Sequence, residues 1–422
     1  MTTCSSNAVP PAARCPRRRR EGSRRPPRRH SRRSLTRFWR TSSSASTTRR
    51  TADLVRAYAS CTSFRRIVSN CRFRRRYRCL HRPPVLGFLD CARRHGQDRI
   101  SVHFYPAEPP HSSAPAASAV MRDADFTLPS LSDPSCWHVS DVRDGRILLS
   151  RQTTIRDILK ELIVCDPLHR RHIQIPPIPD DLIPNEAMRH GMGFEPFLDP
   201  ATEKEKETED EDLPVRVICN VFSDDKIQTF VFSSVTGEWR PVASFDIGTL
   251  VWLKYPIMMR RNYACSYFYW TEYDRTVMLV LETREMKFSV VALPSESKYR
   301  GNALVEAGEG KLGLLIVGER MLFFYSKTWP NNDDGVKDWQ YDNAIPLVDR
   351  WWSFGGGAEG YVLLEGIAKN PYFIPGKKTD TQYFTVEFRT LSVKRLSVMK
   401  FGTTSPGYLY TSFPLPLSLP SL

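Results

Sequence analysis

No run of about 18 apolar residues occurs in this 422-residue chain, so nothing in it reads as a membrane-spanning helix. The N-terminus lacks the apolar stretch of a secretory signal. Ten cysteines are present, but none stands in a Cys-x-x-Cys pair and no histidine lies at zinc-finger spacing from them. In a chain this long that pattern reads as free thiols in a reducing compartment, cytoplasm or nucleus. Lysine is missing from the first hundred residues, and acids number only four there: Glu21, Asp53, Asp90 and Asp98. Against them stand 27 arginines. The overall charge of +15 therefore belongs to an arginine-dense head, since residues 101–422 carry 34 basic and 42 acidic side chains. A body of net −8 argues against a nucleic-acid binder of the kind that interleaves basic and aromatic residues on its folded surface.

Of residues 1–50, 39 are Arg, Ser, Thr, Pro or Ala. Such a segment buries too little to offset the entropy of ordering, and it is expected to be disordered. Arg17–Arg20 with Arg24, Arg25, Arg28 and Arg29 fit a nuclear-localisation or RNA-binding run, and an acid-poor Arg/Ser-rich start also fits a transit peptide. A third reading comes from the genetic code. Codons permitted for Thr36 to Arg50, read one base earlier, spell an acidic amphipathic helix, so residues up to about 50 are also compatible with a shifted frame.

From Asp53 the pattern changes. Leu54, Val55, Tyr58, Cys61, Phe64, Ile67 and Val68 recur at three- and four-residue spacing and share one helical stripe. A second short segment, Cys71 to Leu80, brings Phe73, Tyr77 and Leu80 to one side before Pro83-Pro84 stops it. Periodicity alone favours plain core for such a stripe. Two helices this short need something to pack against.

After a Pro/Ser/Ala-rich connector, Pro106 to Ala119, the chain reads as strand after strand. Asp144-Gly145 and Thr236-Gly237 are hairpin turns between alternating runs, and Asp166-Pro167 breaks another pair. Runs ending in Ile-Pro or Leu-Pro recur at Ile175, Leu293 and Ile345. Hairpins at roughly 40- to 50-residue spacing predict an all-β, degenerate β-propeller of six or seven blades. The expected organisation is residues 1–50 disordered, 51–90 helical, 91–120 linker, 121–400 propeller and 401–422 tail.

The stretch from Asp53 to Phe88 resembles the second half of an F-box. Cys61 falls on that family's cysteine, Phe64 on its aromatic position and Phe73 on its terminal phenylalanine, while Thr62 stands where a basic residue is usual. The Leu-Pro half of the motif is absent. Ser233–Arg240, Phe268–Trp270, Phe288–Pro294, Glu306–Gly313 and Ala358–Leu364 are similar to the propeller-like associated region of plant, grass-type F-box proteins. That resemblance implies a non-catalytic substrate receptor of a Skp–cullin–F-box ubiquitin ligase. It implies contacts to the Skp adaptor from Leu54, Val55, Tyr58, Cys61, Phe64, Ile67 and Val68, and through it to a cullin. The alternatives are a propeller interaction protein without ligase coupling and an Arg-rich nucleic-acid-binding protein, the second opposed by the net negative body.

Other motifs are weaker. Gly308-x-Gly310-x-x-Gly313 matches a dinucleotide fingerprint, but a strand rather than a helix follows it. Gly355–Gly357 reads as a tight connection rather than a phosphate cradle. His169 and His172 beside Asp166 fit a solvated turn better than a metal site. Trp351 and Trp352 read as blade core. The acidic block Glu203–Asp212 reads as a loop insertion. No cofactor, metal or catalytic set is nominated.

Overall fold

A computed structural model describes residues 51, 53–54, 62–93, 100–126, 137–151, 161–183, 193–200, 214–248, 250, 260–272, 276–308, 310–330, 338–358, 360–369, 381–399, 407–415 and 417. The readings placed on residues 1–50 and on Glu203–Asp212 lie outside them. Thr51, Asp53 and Leu54 are helical, and the first helices described from end to end are α1 (Thr62–Val68) and α2 (Cys71–Leu80). They lead into β1 (Val85–Arg93), β2 (Ile100–Pro106) and α3 (Ala114–Asp123).

Five four-stranded antiparallel meanders follow. Blade 1 comprises β3 (Trp137–Arg143), β4 (Arg146–Arg151), β5 (Glu161–Asp166) and β6 (Arg171–Ile175). Blade 2 holds β7 (Phe194–Leu198), β8 (Arg216–Phe222), β9 (Lys226–Ser233) and β10 (Glu238–Asp246). Blade 3 is β11 (Arg260–Ala264), β12 (Tyr267–Thr271), β13 (Val277–Glu282) and β14 (Lys287–Ala292). Blade 4 is β15 (Asn302–Gly308), β16 (Lys311–Val317), β17 (Met321–Thr328) and β18 (Gln340–Pro346). Blade 5 is β19 (Arg350–Ala358), β20 (Tyr361–Ala368), β21 (Thr381–Glu387) and β22 (Ser392–Met399). The sixth sheet is composite: the C-terminal strand β23 (Tyr408–Thr411) pairs with β1, which pairs with β2.

The first strand of each of these five blades lies innermost, and β23 takes that place in the sixth. β23 adjoins β19 on one side and β3 on the other, so the sixth sheet closes the ring. This is a six-bladed propeller, and its closure revises the expected boundaries. The segment 91–120 is not a linker, because β2 and α3 occupy it; the tail after residue 400 supplies an inner strand; and the helical part ends at Leu80. Val102, Phe104 and Pro106 alternate with Ser101, His103 and Tyr105 in β2, a two-residue period that the Pro/Ser/Ala composition just downstream obscures.

Six apolar clusters correspond to the six blade-to-blade contacts. Strand side chains alternate between faces, and both faces of a blade are covered by neighbours, so strands near the axis read as continuous apolar runs. In β16, Leu312, Leu314 and Ile316 pack toward blade 3, whereas Leu315 and Val317 pack toward blade 5. The turns behave as their residues dictate: Asp144 and Gly145 take φ of 52° and 78°, the left-handed pair a two-residue hairpin requires. Gly308 to Gly313 spans the β15–β16 turn and continues as strand. Gly355–Gly357 lies within β19, where a side chain at Gly355 would come to 2.7 Å from the Gly407 carbonyl oxygen. The glycines let the backbones of blades 5 and 6 meet, with Gly356 N–H donating to Gly407 O at 2.8 Å. Of the tryptophan pair expected as core, Trp352 is half-buried against Phe384, but Trp351 is 66% exposed. Successive strand residues face opposite ways, so only one of the two can turn inward.

Candidate partner-binding site

The helical pair stands at one end of the propeller. Val85 pairs with Thr411, so the chain enters β1 beside the last residue of the inner strand β23. The hairpin turns that follow the other inner strands share that end. Asn70 caps α2 by accepting from the Phe73 N–H at 3.1 Å, which fixes the corner between α1 and α2. Tyr77 is fully buried; its hydroxyl meets Thr51 Oγ1 at 2.9 Å and its ring meets Phe413 edge-on at 5.8 Å. Phe413, 4% exposed, follows the closing strand directly, so the C-terminal segment both completes blade 6 and holds α2. Below the helices Arg82 reaches Glu306 at 3.2 Å, and Arg389 meets the same carboxylate at 2.8 Å.

The outer side of the pair carries an open groove of about 600 Å³ lined by Thr62, Ser63, Arg66, Ile67, Asn70 and Phe73. The sequence-derived stripe divides here. Phe64 and Ile67 are half-buried and available at the surface. Leu54 and Val68, at 5% and 0% exposure, are taken up inside the chain and present no surface to a partner. Val55, Tyr58 and Cys61 lie outside the residues whose side chains are described. Arg66, Asn70 and Phe73 line the groove without having been in the predicted set. Phe73 was signalled by its fit to the F-box pattern, whereas Arg66 and Asn70 are polar and invisible to an apolar period. Seven arginines and no acid lie between Thr62 and Leu80.

A second cluster lies on the inner strands of blades 1 to 3. Arg261 Nη1 donates to Glu195 Oε1 at 2.7 Å and Nη2 to the Ser140 carbonyl at 3.0 Å, with Asp141 Oδ1 at 3.5 Å. Trp270 Nε1 donates to Glu195 Oε2 at 2.8 Å, and Asp141 Oδ2 accepts from the Leu198 N–H at 3.0 Å. The guanidinium also lies 4.5 Å from the Phe197 ring centre. Burial alone would push Arg261 down, but Asp141 and Glu195 outweigh it and hold the group above its ordinary value. A charge bonded this fully ties three blades together.

Histidine and thiol chemistry is quiet. His169 Nδ1 meets Asp166 Oδ2 at 2.8 Å inside the β5–β6 turn. Burial pushes the Cys165 thiol up to about 12 and Cys265 to about 11, with Asp166 and Glu306 adding to it. Among the described residues no three metal-ligating side chains converge, and no helix is long and apolar enough to cross a membrane.

Strand order, ring closure and the appended helical pair define the class: a six-bladed β-propeller, an architecture suited to a protein-interaction module. No protein-family model and no curated protein matches the chain. Solved structures do. A fucose-binding lectin from Aleuria aurantia with a six-bladed propeller is 11% identical, covering 61% of this chain and 75% of its own at a TM-score of 0.33. The WD40 domain of SCAP from fission yeast is 9% identical, covering 60% and 73% at 0.31. A prolyl endopeptidase is 13% identical, covering 74% of this chain and 45% of its own at 0.31. Likenesses at these scores carry no argument; the propeller assignment rests on strand order and closure.

Proposed function

We propose that this chain is the non-catalytic substrate receptor of a Skp–cullin–F-box ubiquitin ligase, with α1 and α2 docking the Skp-type adaptor and the propeller holding the protein to be modified. The observation that carries the reading is the groove on α1 and α2. Ile67 and Phe73 line it only half-buried, while Tyr77, one helical turn beyond Phe73 with the two rings stacked 6.1 Å apart, is spent on anchoring the pair to Phe413. A short helical pair clamped through Tyr77, with an open groove beside the clamp, is what a docking hook needs. Such a receptor makes no bond itself; it raises the effective concentration of a bound protein's lysines near the ubiquitin-carrying enzyme.

One observation favours the second reading, a propeller interaction module without ligase coupling. Leu54 and Val68, two of the seven contacts implied by the F-box resemblance, are consumed inside the chain. Co-purification of the full chain with a Skp adaptor separates the two. The receptor reading expects a complex that Ile67→Asp abolishes and that a surface change in blade 3, Val290→Asp, leaves intact. Failure of the unaltered chain to bind any Skp-type adaptor refutes ligase coupling and leaves the interaction module.

A further inference from the structure

The connections from the outer strand of one blade to the inner strand of the next, together with the β16–β17 and β20–β21 turns, lie at the end of the propeller away from the helical pair. Three large apolar side chains stand out on this end: Trp351 at 66% exposure, Val348 at 63% and Tyr299 at 58%. Val348 and Trp351 flank the start of β19, and Tyr299 lies on the preceding connection, from blade 3 to blade 4.

These side chains sit on a pinned frame. The Leu347 N–H donates to the Arg320 carbonyl at 2.7 Å, and Trp352 Nε1 donates to the Val348 carbonyl at 3.0 Å. Asp349 meets Lys369 Nζ at 2.6 Å and Arg320 Nη2 at 3.5 Å, joining turns from blades 4 and 5. Lys369 Nζ in turn lies 5.1 Å from the Trp351 ring centre. The indole thus has a cation on one side and solvent on the other. Arg320 keeps 72% of its side chain exposed.

We propose that this surface, centred on Trp351, is a docking site for a partner-protein segment that carries an apolar side chain next to an acidic one. The apolar side chain lies on Trp351 and Val348, and the carboxylate meets Arg320. Charge selects the partner: residues 319–320, 348–351 and 369 hold three cations and two carboxylates. That small positive balance suits one or two acidic side chains. A nucleic-acid backbone brings a run of phosphates where the patch offers only one positive charge in balance, and is disfavoured. Arginine's planar fork suits a carboxylate acceptor, and an aromatic paired with arginine in one patch is the composition that dominates binding energy at protein interfaces. The site shares no residue with α1 and α2, so it stands whether or not the helical pair engages an adaptor.

The test is selection of a displayed library of random 12-residue peptides on the full chain, followed by fluorescence polarisation of the enriched peptides. The expected result is an apolar residue within two positions of Asp or Glu, at least tenfold weaker binding by Trp351→Ala, and a preference for basic peptides in Arg320→Glu. Both substitutions are at exposed positions, and unchanged thermal melting, together with retained binding by Trp351→Phe, establishes that the fold is intact. Three results overturn the proposal: no peptide whose binding depends on Trp351, enriched peptides without acidic bias, or a labelled single-stranded oligonucleotide bound through Trp351 in preference to the peptides.

Discussion

Lowering the pH from about 6.5 toward 4 is expected to remove stability through one buried histidine. His111 is 8% exposed, in the connector that leads from β2 into α3. Its Nδ1 accepts from the Ser113 N–H at 3.2 Å, so the ring is neutral and Nε2–H is the donor to Thr385 Oγ1, also at 3.2 Å. Burial, and secondarily the positive charge of Lys394, lower its pKa from 6.5 to about 4. The sign follows directly. Between those values the unfolded chain takes up a proton that the folded chain refuses, so stability is full above 6.5 and falls as the pH drops to about 4. The whole gap is worth roughly 3 kcal/mol, at about 1.4 kcal/mol per pH unit. The connection held by His111 joins blade 6 to blade 5, since Thr385 lies on β21. Urea unfolding of the wild type and of His111→Asn at pH 7, 6 and 5 gives the slope. Asparagine keeps an acceptor for Ser113 without titrating. The wild type should lose about 1.4 kcal/mol more than the variant for each pH unit below about 6. Parallel slopes for the two proteins would refute the argument.

Two further perturbations probe the anchoring of the parts. Phe413→Ala removes a ring 4% exposed that packs on Tyr77, a loss on the order of 3 kcal/mol for a buried aromatic. Hydrogen exchange should accelerate in 71–80 while the β16 amides keep their protection; equal acceleration of both would place Phe413 in the propeller core instead. Arg261→Met leaves Asp141 and Glu195 without their shared cation and should cost about 3–5 kcal/mol by urea unfolding, with Glu195→Gln in the same chain recovering part of it. A wild-type midpoint in the single variant defeats the view of Arg261 as a tie between blades.

The blades that lie whole in the chain were the legible ones. Lys226–Ser233 and Lys311–Val317 stand in the sequence as apolar runs bounded by turn residues, and the strands fall at the same limits. Blade 6 was not legible, because its three strands come from positions 85–93, 100–106 and 408–411 and no local window contains a hairpin joining β23 to β1. Its first strand also follows closely on the helical stretch, with only His81 to Pro84 to separate them. The helical stripe was visible by period, but period cannot say which side meets the propeller; that depended on Phe413, more than 330 residues downstream of Tyr77. The exposure of Trp351 likewise turns on one position of register: its neighbour Trp352 takes the inward place beside Gly366.

The composite sixth blade has a consequence for how the protein is made. On the ribosome β1 and β2 emerge early and must wait for about three hundred further residues before their innermost partner, β23, is translated. Until then Phe88 and Leu89 have neither Tyr408 nor Leu409 beside them, and blades 1 and 5 each show one uncovered flank. Five blades can be built before β23 is translated, but the circle is joined only once that strand arrives. The nascent chain therefore presents an open arc with sticky ends, the state in which a chaperone would find most to hold and in which a nonsense change near residue 400 would leave the product.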